Sequence, residues 1–301
     1  MSSSKHVMSS KHSYLDRLII YASWASVCVA MLLLLLKLYA WFMTGSMGVL
    51  AALVDSLLDL VASLINMFAV RYALVPADDE HRFGHGKAEA LAGLGQATFI
   101  ASSALFLIVF TIERIVHPEL IESVDVGSTV IAISMALTLC LVAFQKHVVK
   151  KTGSVAIRAD SLHYSADLVS NAGILLGLIL YYWGWLYSDP VIALLIGFYI
   201  LKCAFDVGND SVQLLLDHGL SEEEQSKIMA IACSHADVIE VHDLRTRQSG
   251  RTKFIQMHLV MNGEMSLTDA HILSDAVEQG LISAFEDVDV LIHQDPHTEL
   301  S

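Results

Sequence analysis

Two pairs of ionisable residues lie four apart in stretches otherwise apolar enough for lipid: Asp55 and Asp59 inside the run Met47–Val70, His163 and Asp167 at the head of the run Leu168–Ser188. Positions i and i+4 share one helix face, so each pair aims two ligand groups the same way. A charged Asp at the bilayer centre costs roughly 2.5–3.5 kcal/mol, and three ionised alone would cost on the order of 8–10 kcal/mol. They must therefore be protonated, paired, hydrated or bound to a cation. Two carboxylates from one helix, with a His and a carboxylate from another, make four N/O ligands. That set suits tetrahedral Zn²⁺, and Fe²⁺ or Cd²⁺ could also fit. With His163 neutral the site carries a charge of −3, which a dication reduces to −1. Emptying the site should draw protons in, so metal release and proton uptake are coupled by electrostatics. The competing explanation is a pair of interhelical hydrogen bonds. Asn171, Ser63 and Asn66 continue the polar stripe as lining of a hydrated path or as packing glue.

The elements that must hold these groups are membrane spans, each needing about 20 apolar residues. The 301 residues are 54% hydrophobic, with a mean hydropathy of +0.56 and the excess in long runs. Nineteen uncharged residues separate Arg17 from Lys37 and 23 separate Glu89 from Glu113, giving the first and third spans. The second covers about 46–74, the fourth 126–145, the fifth 161–187. The sixth, about 190–216, reads as the weakest because Lys202, Asp206 and Asp210 break it. Basic residues precede the first span and flank the second-to-third and fourth-to-fifth loops, while the opposite connections hold Arg114 and the aromatic cluster Tyr181–Tyr187. By the positive-inside rule both termini are cytoplasmic. The expectation is a polar tail over 1–13, in which SSKH occurs twice, then a six-helix transmembrane domain over 14–217.

After Asp217 the character changes. Of the net −14, the segment 218–301 carries −10 (15 acidic against 5 basic residues) and seven of the 14 histidines. Such a segment suits cations and excludes nucleic acid, which needs basic patches. The four cysteines are scattered, with no C-x-x-C, so no disulfide framework is implied. Ser221–Ala236 reads as a helix capped by Ser221, Val238–Arg247 and Lys253–Val260 as strands around a turn at 248–250. A second helix capped by Ser266 or Thr268 runs to about Phe285, and Val288–His293 is a last strand. The order αββαβ makes an α+β domain, with the whole chain a polytopic α-helical membrane protein. In this domain His293 and Asp295 share a strand face, His242 and His258 lie on the other strands, and His271 starts the second helix. Each histidine alone reads more readily as a surface or packing residue than as a ligand. The loop between the second and third spans packs Asp78, His81 and His85 within eight residues, with Gly84 and Gly86 allowing tight turns. A solvated polar loop would look the same.

Asp-x3-Asp in the second span and His-x3-Asp in the fifth resemble the cation diffusion facilitator family, with bacterial zinc and ferrous-iron efflux members the nearest in pattern. The resemblance spans about Tyr14 to Pro296. It implies that Asp55, Asp59, His163 and Asp167 form the transport site, that the chain works as a homodimer with a V-shaped pair of cytoplasmic domains, and that it exchanges metal for protons. It further implies a loop metal site at Asp78, His81 and His85. Lys87 would pair with Asp217 at the membrane–tail junction. A binuclear cytoplasmic site would comprise His242, His258, His271, His293 and a bridging Asp295 in a metallochaperone-like domain. The expected protein is thus not an enzyme. It is an inner-membrane exporter of Zn²⁺, with Fe²⁺ or Cd²⁺ as further substrates. A membrane-anchored metal sensor is the rival, but it gives no reason for three intramembrane carboxylates. An intramembrane hydrolase is disfavoured because four protein ligands leave no open position and no H-E-x-x-H is present.

Overall fold

A computed structural model of the chain describes residues 2–45, 47–116, 128–183, 185, 188–285 and 287–297. Six long helices come first: α1 (Ser2–Thr44), α2 (Met47–Ala73), α3 (Lys87–Val116), α4 (Ser128–Thr152), α5 (Val155–Tyr182) and α6 (Ser188–Leu215). Arg114 and part of the aromatic cluster lie outside the described side chains. Five of the helices are long and apolar enough to cross a membrane, α6 among them with a mean hydropathy of 2.0. α6, expected to be the weakest span, is thus strongly apolar among the described residues.

Packing explains how α5 tolerates Asp160, His163 and Asp167. Its buried face meets α1, α2 and α4 through Ile19, Ala22, Val70, Val148, Ala156 and Ile157. It meets α3 and α6 through Ile100, Ala104, Ala166, Ile200 and Ala204. Its polar groups are therefore turned toward protein, where hydrogen bonds can satisfy them. Gly173 of α5 lets α6 close in, since a Cβ there would stand 2.1 Å from Cδ1 of Ile196. The outer faces of the bundle are apolar, with Phe68, Phe106, Phe110, Leu195 and Phe205 all exposed, as a lipid-facing surface requires.

The remainder is α7 (Glu222–Ala232), β1 (Val238–Ser249), β2 (Thr252–Asn262), α8 (Leu267–Ala284) and β3 (Val288–His297), the expected αββαβ order. The sheet runs β1-β2-β3, antiparallel between the first two and parallel between the last two. Ser221 caps α7 in a full capping box with Glu224, and Ser266 rather than Thr268 caps α8. The helices bury Ile228, Ala232, Leu273, Val277 and Leu281 against Ile255, Met257 and Leu259 of the central strand. Chain contacts divide the molecule into two compact units. One contains Ser9–Val75 and Ala88–Val212; the other contains the loop Pro76–Lys87 together with Gln213–Ser301. The loop thus belongs with the α+β domain.

Candidate metal centres

The bundle brings Asp59 of α2 together with His163 and Asp167 of α5, their ligand atoms all within 4.8 Å of one another. Nε2 of His163 lies 3.0 Å from Oδ1 of Asp59 and 3.9 Å from Oδ2 of Asp167. One imidazole nitrogen therefore faces two carboxylates at the α2–α5 contact, under the edge of Phe99 and beside Tyr164. Asp59 and His163 are buried and Asp167 is half-buried. Asp55, one turn earlier on α2, is exposed and is not in the three-residue cluster. Of the polar stripe, Ser63 shares a hydrogen bond of 2.7 Å with Tyr164, a packing contact. Asn66 is buried with neither amide atom hydrogen-bonded.

Sequence reasoning missed Asp160 by starting the fifth span at Ser161. The helix begins at Val155, so Asp160 lies inside it, two turns before Asp167 on the same face. It is fully buried and takes hydrogen bonds from Ser26, Gln96 and Gln145. Two further contacts hold this end of α5. Ser154 and the backbone N–H of Ala156 donate to Glu89 of α3, and Arg158 pairs with Asp210 of α6.

In the second unit, the loop folds Asp78, His81 and His85 into one cluster. Oδ2 of Asp78 stands 3.3 Å from Nε2 of the buried His85, and Oδ1 stands 3.6 Å from Nδ1 of His81. The backbone N–H of His81, then that of Glu80, donate to Asp78 and hold its carboxyl below the ordinary carboxylate range, with the two imidazoles adding to the effect. Gly84 takes the left-handed conformation that closes the turn (φ +76°). Lys87 meets Asp217 at 3.0 Å, and Arg247 approaches the same carboxylate at 3.4 Å. Partial burial works against ionisation of Asp217, but the Lys87 hydrogen bond and the two positive charges prevail and lower its pKa.

On the sheet, the strand register does what spacing could not show. His242 pairs across from His258, and His258 from His293, so three imidazoles form a row over three strands. Asp295 sits beside the row. Its Oδ2 is 3.1 Å from Nε2 of His242 and 2.9 Å from Nδ1 of His258, while its Oδ1 is 3.2 Å from Nε2 of His293. The hydrogen bond from His258 leads the lowering of the Asp295 pKa. Asp243, at an irregularity in β1 with φ +48°, adds a carboxylate 3.7 Å from Nε2 of His258 that the sequence did not point to. His271 is not brought to this cluster within one chain: it is exposed on α8 and faces Asp275 at 3.7 Å.

A helical bundle with a His–carboxylate cluster between two of its helices, joined to a His-lined α+β domain, defines a polytopic metal transporter. Residues 23–216 match the cation efflux transmembrane domain and residues 220–297 the cytoplasmic domain of cation efflux proteins. The cation-efflux pump FieF of Klebsiella pneumoniae is 50% identical over 280 residues, 93% of this chain and 93% of that protein. The FieF pump of Yersinia enterocolitica matches with the same identity and coverage. Among solved structures, the metal-bound C-terminal domain of the CzcD transporter from Thermotoga maritima is 28% identical over 27% of this chain and 100% of that one, with a TM-score of 0.25. The chain belongs to the cation efflux, or cation diffusion facilitator, family. It is a multi-pass membrane pump for divalent metal cations and not an enzyme.

Proposed function

We propose that the chain is a homodimeric Zn²⁺/H⁺ antiporter of the bacterial inner membrane, exporting cytoplasmic Zn²⁺ and accepting Fe²⁺ and Cd²⁺, with both termini cytoplasmic. The membrane domain is 14–217, the cytoplasmic domain 218–301, and 1–13 a polar lead-in. The reading is carried by one observation: Asp59, His163 and Asp167 converge where α2 meets α5. Asp55 completes the transport site as a fourth ligand from the exposed side of α2. When metal leaves, protons replace it, because uncompensated carboxylates at this depth are costly. The site then alternates between the two sides of the membrane.

The loop cluster of Asp78, His81 and His85 and the sheet cluster are metal sites that control transport. Asp295 fits a bridge between two ions, because its two oxygens face different histidines. His271 can join this site only from the second chain of a dimer. Neutralising the −10 of each cytoplasmic domain with metal removes repulsion between protomers and favours the transporting state. Lys87 and Asp217 tie the loop to the end of α6.

Uptake of Zn²⁺ by proteoliposomes under a proton gradient, run beside a panel of other dications, is the test. Metal flux that drives protons the opposite way, lost in His163→Ala, is the expected result. Intact protein that binds metal and carries none would instead favour a membrane-anchored metal sensor.

A further inference from the structure

We propose that Asp160 is a positioning residue for the α5 half of the transport site: it locks this helix to three others and so sets where His163 and Asp167 stand. The inference rests on the transport-site reading above and goes beyond it, since Asp160 lies outside the ligand cluster.

The geometry is that of a four-helix knot. Oδ2 of Asp160 accepts from Oγ of Ser26 on α1 and from Nε2 of Gln145 on α4, the latter at 2.7 Å. Oδ1 accepts from Nε2 of Gln96 on α3 at 3.1 Å. Gln145 also donates to Ser26 Oγ at 2.8 Å, closing a ring of three side chains. Asp160, Gln145 and Ser26 are all essentially inaccessible to solvent. Three donors converge on one carboxylate, so the knot needs an acceptor-only group at 160. An apolar or amide side chain would leave buried donors unmatched.

The knot is placed to act on the metal ligands. His163 follows Asp160 by three residues and Asp167 by seven, so all three project along one side of α5. Between them Tyr164 bonds to Ser63 of α2 and reaches the backbone carbonyl of Ser26 at 3.5 Å. Rotation or sliding of α5 carries Asp160 and the ligands together, so the knot opposes any such shift of the ligands. A ligand pair divided between two helices has the right spacing only if the helices are held in register, and supporting hydrogen bonds around metal ligands typically affect affinity by 10–100-fold.

The test uses the full-length protein in proteoliposomes, with KM and kcat for Zn²⁺ measured separately and normalised to folded transporter. Asp160→Asn keeps the shape but turns one acceptor into a donor. It should raise KM about 10-fold or more, with kcat changed far less. Gln145→Met removes the amide at nearly constant volume and guards against a variant that fails to fold; it should raise KM about 3-fold, through the loss of one of the three hydrogen bonds to Asp160 and of the one to Ser26. The double variant Asp160→Asn/Gln145→Glu reverses the polarity of the pair, the amide at 160 now donating to the carboxylate at 145. It should recover most of the lost KM, which no general effect on folding would produce. Wild-type KM in both single variants overturns the inference, as does a loss confined to kcat or to folded protein. Asp59→Ala and His163→Ala run alongside. If they transport normally, the transport-site reading itself falls; if they are inactive while Asp160→Asn keeps its KM, the positioning inference alone falls.

Discussion

The cluster between α2 and α5 and the cluster on the sheet use the same ligand chemistry in opposite surroundings. In the bundle, the side chains of His163 and Asp59 are 7% and 12% exposed. On the sheet, those of His242 and Asp295 are 43% and 29% exposed. Water can solvate the sheet ligands, so a metal bound there, as proposed, would come and go with the metal concentration at little cost. Asp59 and His163 have no such recourse: in the proposed antiport an ion leaving them is replaced by protons. On the proposed reading, the difference in burial is what would suit one cluster to exchange and the other to sensing.

The largest expected effect breaks the bundle site. Asp59→Ala or His163→Ala should cut zinc flux at least about 100-fold, while binding to the sheet site, followed by equilibrium dialysis of the same protein, stays within about 2-fold, since the two clusters belong to separate compact units and share no residues. Loss of both functions together would erase the distinction between the two sites.

Next is the sheet. Asp295→Ala removes both carboxylate oxygens that three histidines face. It should lower metal affinity there about 10–100-fold, and more than His242→Ala does. Isothermal titration with zinc on the full chain checks the ranking. Equal losses would mean that Asp295 serves one histidine rather than the row.

The loop gives a smaller effect. A Cβ on Gly86 would lie 2.5 Å from the carbonyl carbon of Ser249 and 2.6 Å from the amide nitrogen of Gly250. These are backbone atoms that cannot step aside. Phe83 of the loop also meets Phe254 of β2 edge to face, and the Arg247 guanidinium lies 4.7 and 4.4 Å from their centroids. Gly86→Ala should therefore weaken docking of the loop on the hairpin by about 1–2 kcal/mol, seen as faster amide exchange over residues 76–87 and 248–251. Unchanged exchange would show that the loop is held by Lys87 and its neighbours instead.

How much of this was legible in the sequence follows from how each ligand is brought in. Asp59, His163 and Asp167 were readable because helix periodicity is local: a spacing of four in an apolar run puts ligands on one face whatever the rest of the chain does. Asp160 escaped because the span was started at the first uncharged residue, and a charge at a helix boundary reads as an end rather than as a buried anchor. The row of His242, His258 and His293 depends on strand register, which is set by pairing across 16 and 35 residues and has no local signature. Asp243 enters through a β-irregularity, invisible to a period-two pattern. The sixth span was underrated because its charges were counted without the apolar residues around them. Lys202, Asp206 and Asp210 interrupt a helix that is otherwise strongly apolar, whereas Asp160 of α5 is buried and hydrogen-bonded to three neighbouring helices.

The smallest effect concerns an ion pair that looks important and should prove weak. The side chains of Lys87 and Asp217 are 36% and 43% exposed, so screening limits the pair to about 0–1 kcal/mol. Asp217 also ends α6 in the left-handed conformation, with φ +58°. Alanine there would add backbone strain to the loss of charge. Asparagine tolerates that conformation, so Asp217→Asn isolates the electrostatic part. Because the Asp217 pKa is lowered in the folded state, its contribution is present above the unfolded value near 4 and fades as pH falls through the folded value. Wild type and Asp217→Asn should differ by less than about 1 kcal/mol in thermal stability at pH 7 and converge below about pH 4. A difference of several kcal/mol, or one that grows on acidification, would mean that this junction is held like the buried bundle site rather than like the solvated sheet.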